Sequence, residues 1–366
     1  MGHDRKHSLR EAGSPACCSD GTLNRFLSPL CLIAALGWPV MLLPSHAFGL
    51  WNAYPIVQVH ALPMVGIFIM VLCIVCAGVV LHRASATCAL RRTALTVMII
   101  VLSTAVLVEG AVFYRAGGFL SAGSAAVAIG KGDLTVLSFN ARDTSASDLA
   151  QVTVETTADA VLLVETSRDV AVELVQRLHW RGIQSQLFMG SGSSLAGEEE
   201  VAIIVTEQLG IYHESPGPSL AFGAVTVQPV SNTRADTEPL WSERPVLSAV
   251  HPPAPLPGKV PASVWTQQLQ AAVAPCRQQA AIVGGDFNAS STQIAQVMGR
   301  DCIHAGTHLG RGSVGTWPTV VPSPLGASID HQLADGNLWE PVRISFMDVG
   351  RSDHRAVTVS YRAINS

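Results

Sequence analysis

Two regimes of hydrophobic patterning divide this chain. From Phe26 to Ala116 apolar residues run almost without a break, and only Arg83, Arg91, Arg92, Glu109 and Arg115 carry charge. Three segments there, about 26–45, 60–81 and 94–114, each have the ~20 residues that a helix needs to cross a bilayer. The first contains Pro29, Pro39 and Pro44, and a cleaved signal peptide ending near "SHA" (45–47) is its alternative reading. After residue 133 the pattern shortens. "LTVLSFN" (134–140), "DAVLLVE" (159–165), "EVAIIVTE" (200–207), "GAVTVQPV" (223–230), "RPVLSAVH" (244–251) and "AAIVGGDFN" (280–288) read as strands. "SASDLAQVTVETT" (145–157), "SRDVAVELVQRLHW" (167–180), "SVWTQQLQAAVAPC" (263–276) and "STQIAQVMGR" (291–300) read as helices, the first two opening on capping serines. "SIDHQLAD", "EPVRISFMDVG" and "DHRAVTVSYRA" complete the strands, and the alternation predicts a mixed α/β domain with two packed sheets.

The boundaries follow: a leader (1–25), a membrane region (26–116), the small-residue linker "GGFLSAGSAAVAIGKGD" (117–133) and a globular domain (134–366). Basic residues orient the membrane region. The leader carries Arg5, Lys6, Arg10 and Arg25, the first loop has none, and the second has Arg83, Arg91 and Arg92. Leader and second loop are therefore expected in the cytoplasm and the domain on the outer side of the cell membrane, with Trp38, Trp51 and Tyr54 as interface anchors. Glu109 reads as a solvated carboxylate near the outer end of the third span.

Charge and cysteines narrow the picture further. Residues 131–366 contain 15 Lys and Arg against 23 Asp and Glu, a formal charge of 15 − 23 = −8, which is not the basic face that grips nucleic acid through its phosphates. Of eight cysteines only Cys276 and Cys302 belong to the globular domain, and in an extracytoplasmic setting the pair suggests a disulfide, two unpaired thiols being the alternative.

Chemistry concentrates where aliphatic runs end: Asn140, Glu165, His251, Asp286 with Asn288, and Asp330, followed by "SDH" at 352–354. Each alone is an ordinary cap or turn residue. As an ordered set, with "GDFN" at 285–288, "TWP" at 316–318 and "IDH" at 329–331, they resemble the endonuclease/exonuclease/phosphatase superfamily, the exonuclease III and pancreatic deoxyribonuclease fold. The resemblance covers about 134–361 and implies a four-layer sandwich of two packed mixed β-sheets flanked by helices, here preceded by three transmembrane helices. It implies hydrolysis of a phosphoester with a divalent cation, magnesium or alternatively manganese.

A phosphodiester is an anion, so attack on it needs charge neutralisation and an activated water. Glu165 offers a hard oxygen ligand and Asn140 an amide oxygen beside it. His354 is the candidate base or transition-state stabiliser, oriented by Asp330. By the resemblance Asp286 positions or deprotonates the water, Asn288 donates to the phosphate, His251 stabilises developing charge and Asp353 completes the metal shell. Which group is the base stays open. Arg244 and Trp317 are candidate substrate contacts, with an edge ion pair and a loop-fixing core tryptophan as their alternatives. His331 should face away from the site. The run Glu198, Glu199, Glu200 departs from the glycine-rich strand opening of relatives and reads as a solvated loop. Expected partners are the bilayer and a phosphodiester, nucleic acid or lipid headgroup, with no protein partner implied. A non-catalytic membrane module binding a phosphorylated ligand is the alternative function.

Overall fold

The computed structural model describes residues 51–83, 89–120, 133–192, 200–230, 244–278 and 280–364. The leader, the first apolar segment, linker residues 121–132, Glu198 and Glu199 lie outside them, so expectations placed there are not addressed. A short helix α1 (Ile56–Ala61) precedes α2 (Pro63–Arg83) and α3 (Ala89–Arg115). Among the described residues α2 and α3, two helices rather than the three expected, are long and apolar enough to cross a membrane. They leave large apolar side chains such as Phe68, Leu72, Ile100 and Leu107 uncovered. The described residues fall into two compact units, one within 68–107 and the other within 51–67 and 108–364.

The second unit is a sandwich. Its strands are β1 (Leu134–Asn140), β2 (Ala160–Val164), β3 (Ser185–Ser191), β4 (Glu200–Thr206), β5 (Tyr212–Ser215) and β6 (Ala224–Pro229). They continue as β7 (Val246–Val250), β8 (Ala281–Asp286), β9 (Cys302–His304), β10 (Asp330–Asp335), β11 (Trp339–Asp348) and β12 (Arg355–Ala363). One sheet has the order β11-β12-β1-β2-β4-β3 and the other β5-β6-β7-β8-β10-β9. Each is mixed, with β1 parallel to β2 in the first and β7 parallel to β8 in the second. Of these strands β3, β5 and β9 were not anticipated. They are partly exposed, or only three to four residues long, so neither an apolar run nor a clean alternation marks them.

Period-two alternation assigns the faces. Leu134 and Val136 of β1, Leu162 and Val164 of β2, Leu247 and Ala249 of β7 and Ile282 of β8 fill the space between the sheets. Leu137, Phe139, Val161 and Leu163 point outward onto α4 (Ala146–Glu155) and α5 (Arg168–Trp180); the cap of α5 is Ser167, as expected, and that of α4 is Ser145 out of the two candidates Ser145 and Ser147. On the other outer face Val283 and Leu333 meet α6 (Ala262–Val273) and α7 (Ser291–Val297) through Trp265, Leu269 and Ile294. Full burial of such a side chain contributes about 2–3 kcal/mol.

The segment before α2, residues 51–61, also belongs to this outer layer. Val57 is fully buried in it, Trp51 packs against Trp265 at 5.9 Å, and Tyr54 Oη donates to the Val260 carbonyl at 2.6 Å. Gln58 donates to Pro255 O and Gln293 to Val57 O. Trp51 and Tyr54, expected as lipid-interface anchors, are thus engaged with the domain. Cys276 and Cys302 are disulfide-bonded with Cα atoms 5.8 Å apart, tying the end of α6 to β9.

Two glycines let the sheets close on the site edge. A Cβ at Gly284 would lie 2.9 Å from Leu162 Cδ1 and 3.1 Å from Ser138 Cβ, across the inter-sheet gap. Gly285, at φ 153°, leaves no room for a side chain against the Val250 carbonyl of the neighbouring strand. The pair "GG" before Asp286 is therefore a packing requirement.

Asp159, 6% exposed, accepts from Thr135 N at 2.8 Å just before β2. Burial raises its pKa to about 6, partly offset by the Thr135 hydrogen bond. A carboxyl whose folded pKa is raised contributes stability that is full below its unfolded value of 3.8 and is lost as pH rises through about 6. The stability gap between wild type and Asp159→Asn should therefore change by on the order of 3 kcal/mol between pH 4 and 7, to the disadvantage of wild type at pH 7. Denaturant unfolding at both pH values checks this, and a pH-independent gap would contradict it.

Candidate active site

The two sheets bring their polar strand ends to one edge. Because β1 and β2 run parallel, as do β7 and β8, Asn140, Glu165, His251 and Asp286 all lie at carboxyl ends. β10 runs antiparallel to β8 with Asp330 opposite Asp286, and β12 runs antiparallel to β1, so Asp330 and His354 arrive at the same edge from amino ends. Alternation turns Asn140, Asp286, Asp330 and His251 inward, continuing the apolar inner face as its last, polar position. Glu165 does not follow that rule. The parity of β2 would put it on the helix side, but its backbone is left-handed at φ 51°, which redirects the carboxylate into the site. Asn288 has φ 48° in the turn after β8. Such conformations cost roughly 1–3 kcal/mol outside glycine and concentrate at functional sites.

The contacts form one cluster. Asn140 Nδ2 donates to Glu165 Oε1 at 2.8 Å and to Asp286 Oδ2 at 3.2 Å, and lies 3.4 Å from His354 Nε2. His354 Nδ1 is 2.9 Å from Asp330 Oδ2, and its Nε2 is 3.8 Å from Asp286 Oδ2. His251 Nε2 stands 3.7 Å from Glu165 Oε1 and 3.8 Å from Asp286 Oδ2. Asp286 Oδ1 accepts from Asn288 N at 2.8 Å. Asp353 is at the rim, its carboxylate accepting from Trp317 Nε1 at 2.9 Å and 4.0 Å from His354 Nε2.

Charge is distributed unevenly among these groups. Burial depresses the His251 imidazole to about 3, with the neighbouring His354 charge adding, so it is neutral at physiological pH. For His354 burial also opposes the charge, but Asp330, Asp286 and Asp353 outweigh it and hold the pKa at about 10. Burial, then the Asp330 charge, raise the Asp286 carboxyl well above the usual range. One histidine is thus a standing cation and the other a neutral hydrogen-bonding group.

Ligand atoms of Glu165, His251 and Asp286 lie within 4.8 Å of one another, as do those of Asp286, Asp330 and His354. In the second group Asp330 and His354 are engaged with each other. The first group offers two carboxylates, with the Asn140 amide against both, a hard-oxygen donor set that suits a divalent cation of the magnesium type. Residues and group fit.

Some expected residues are placed differently. Arg244 precedes β7, at the end opposite His251, where its guanidinium donates to the carbonyls of Leu209 and Val230, so it closes the far edge of the sheet and does not reach a substrate here. Asn140 donates from Nδ2 to the carboxylates and accepts from Arg142 N at its Oδ1, 3.3 Å away, so it bridges the groups of the cluster. Asn288 Nδ2 is tied to the Pro252 carbonyl. His331, as expected, faces the outer layer, where it bonds His304 and the carbonyls of Ala289 and Ser328.

Other residues were missed. Ser352 Oγ donates to Asn140 O and accepts from His354 N. Thr316 Oγ1 accepts from the backbone N of Ile329 and Asp330. Both stand inside quoted motifs, which was the available signal. Arg142, 3.6 Å from Glu165, and Phe222, packed 5.1 Å from His251, lie on loops with none. Asp330→Asn should lower the rate and move the alkaline limb of the kcat/KM profile to lower pH, because removing Asp330 leaves burial to depress His354. An unmoved limb would exclude a charged His354 from the rate-determining form.

Among curated proteins none matches the chain. Solved structures of low identity do: D. rerio TDP2 humanized by 14 mutations is 18% identical, with 63% of this chain and 99% of that chain covered and a TM-score of 0.45. The endonuclease domain of TRAS1, a telomere-specific non-LTR retrotransposon, is 19% identical over 63% of this chain and 98% of that one, TM-score 0.43. An endonuclease/exonuclease/phosphatase from Beutenbergia cavernae DSM 12333 is 17% identical over 63% and 72%, TM-score 0.45. The profile of the Endonuclease/Exonuclease/phosphatase family matches residues 136–354, which hold every residue of the cluster. With its two packed mixed sheets and its acidic and histidine edge, the chain belongs to the endonuclease/exonuclease/phosphatase family and is a phosphoester hydrolase.

Proposed function

We propose that this protein is a membrane-anchored, divalent-cation-dependent phosphodiesterase whose catalytic domain lies outside the cytoplasm. The observation that carries the chemistry is the convergence of Glu165, Asp286 and His251 beside the His354–Asp330 pair. A divalent cation, magnesium or manganese, would be held by Glu165, with Asn140 and Asp353 adjacent, and would supply charge neutralisation to the phosphate.

The chain's own groups do the rest. Asp286, with its raised pKa and its second oxygen fixed by Asn288 N, orients the attacking water and takes its proton. His354, held charged by Asp330, donates from Nε2 to the phosphoryl oxygens and stabilises the charge they gain. This division favours Asp286 as the base, because a histidine protonated up to about pH 10 has no free lone pair to accept a proton. Neutral His251 donates from Nε2 on the Glu165 side of the cluster. Trp317, 37% exposed with its ring 6.5 Å from His354, forms one wall for the substrate, and the Asn288 amide, anchored on Pro252, lies beside the phosphate.

Three features support the placement outside the cytoplasm. Residues 51–61 and the domain pack into one unit, and between them the chain makes two apolar helices, which return it to the side it left. Arg83, Arg91 and Arg92 flank the connection between those helices, as cytoplasmic connections do. The Cys276–Cys302 disulfide accords with an oxidising compartment. The reading of residues 26–45 as a third span completes the anchor.

The full-length protein in detergent should hydrolyse bis-p-nitrophenyl phosphate with magnesium and lose that activity in EDTA. Glu165→Gln and Asp286→Asn should each lower kcat/KM by roughly 10²-fold or more with unfolding midpoints retained. Wild-type rates in either variant, or no metal-dependent turnover, would refute the site. A phosphatase reporter fused after Ser366 should be active on the outer side of the membrane, and reporter activity confined to the cytoplasm would overturn the topology.

A further inference from the structure

The loop that carries Trp317 has a second role, visible in what it leaves uncovered. In "TWPTVVPSPLG" (316–326) Trp317 is 37%, Val320 85% and Leu325 50% exposed. A flexible loop would fold such residues away. This one is held: Arg355 donates to the carbonyls of Gly315, Thr319 and Val321, Thr319 N donates to Asp353 O, and Thr319 Oγ1 donates to Ser352 O. The same few residues, 352–355, hold the loop and carry His354, so the apolar rim and the catalytic histidine are fixed to each other.

The rim is continuous with the outer end of α3. That helix ends at Arg115, and Ser313 N donates to the carbonyl of the next residue, Ala116, at 3.0 Å. Phe119 turns back onto the last helical turn, its ring 5.0 Å from that of Phe113, and is itself 49% exposed. Its neighbour Leu120, 43% exposed, accepts from Ser323 Oγ at 3.2 Å. Exposed apolar residues thus run from the last turn of an apolar helix, through Phe119 and Leu120, across the 316–326 loop to the wall of the active site. The headgroup layer on each side of a bilayer is about 5–8 Å thick, and a segment folded against the final turn of a span lies within it.

We infer that this rim is seated in the headgroup layer and that the phosphoester taken by the site is the diester of a phospholipid in the same bilayer. The inference rests on the phosphodiesterase reading. A preordered apolar surface facing the layer into which its own chain is anchored fits a lipid surface and not a polynucleotide, which needs a basic track. The formal charge of −8 on 131–366 points the same way. Trp317 then contacts the lipid near its glycerol or sphingoid backbone, where an amphipathic ring is favoured. In the reaction water adds its hydroxyl to phosphorus, one P–O ester bond breaks, and the departing alcohol oxygen receives the remaining proton. The products are a lipid alcohol with a phosphorylated headgroup, or a phosphatidic acid-type lipid with a free headgroup, depending on the bond.

The experiment uses full-length protein reconstituted in vesicles of phosphatidylcholine, phosphatidylethanolamine, phosphatidylglycerol and sphingomyelin with magnesium, with products followed by mass spectrometry. Bis-p-nitrophenyl phosphate and plasmid DNA are assayed in parallel. Release of either product pair is expected. Turnover of the soluble diester or of DNA with every vesicle lipid intact would overturn the inference and leave the hydrolase standing, whereas no turnover of anything would remove the underlying reading. Val320→Asp combined with Leu325→Asp should lower lipid turnover roughly tenfold or more, equivalent to about 1.4 kcal/mol, and keep soluble-diester turnover within about twofold. Lipid turnover equal to wild type would refute the seated rim. If the double aspartate variant loses both activities, Val320→Ser with Leu325→Ser decides by the same comparison.

Discussion

Two sheets packed face to face must hide the inner side of every central strand from water, and the site is a consequence of how that requirement ends. Along β1, β8 and β10 alternate residues are buried between the sheets, and the last or first position of the same parity is Asn140, Asp286 or Asp330. Polar groups at these positions are almost completely buried, yet they sit where the sandwich stops and substrate can approach. Rigid strands fix their spacing, and the glycine pair before Asp286 lets the sheets close until Asn140 can touch both Glu165 and Asp286. Preorganisation of this kind is what electrostatic catalysis requires.

Burying three carboxylates together is unfavourable unless each has a partner. The structure divides the problem. Asp330 is matched by a charged His354, and Glu165 and Asp286 share the amide of Asn140 and the two histidine Nε2 atoms at longer range. That division explains why two similar histidines differ. His354 gains more from three acidic neighbours than it loses by burial, whereas His251, more deeply buried and facing the charged His354, stays neutral. Residual negative charge around Glu165 and Asp286 is what a divalent cation neutralises.

The outer layer of the second sheet is completed by a segment from before the first long apolar helix. Trp265 and Leu269 would present an apolar face to water were they not covered by Trp51, Tyr54 and Val57 from the loop before α2. That loop and the residues that follow α3 both contact the sandwich, through Tyr54, Val57 and Ala116.

Sequence periodicity by itself determined most of the strands, the two capped helices against the first sheet and the apolar helices, and the resemblance carried by "GDFN" and "SDH" pointed to the residues that converge. These are local or ordered features, and burial of alternate residues leaves a direct imprint on composition. It did not determine what depends on contacts between distant segments. β3, β5 and β9 are strands because a neighbour pairs with them, not because of their own pattern. Arg244 and His251 share a strand run, but only the fold shows that they stand at opposite ends of β7. Trp51 looks like a lipid anchor until Trp265 is seen beneath it. Glu165 reaches the site only through a left-handed residue that strand parity alone would not predict. The charge states of His251 and His354 were likewise decided by tertiary structure, since burial and the approach of groups at the ends of four strands, β7, β8, β10 and β12, set them, and no stretch of sequence contains both.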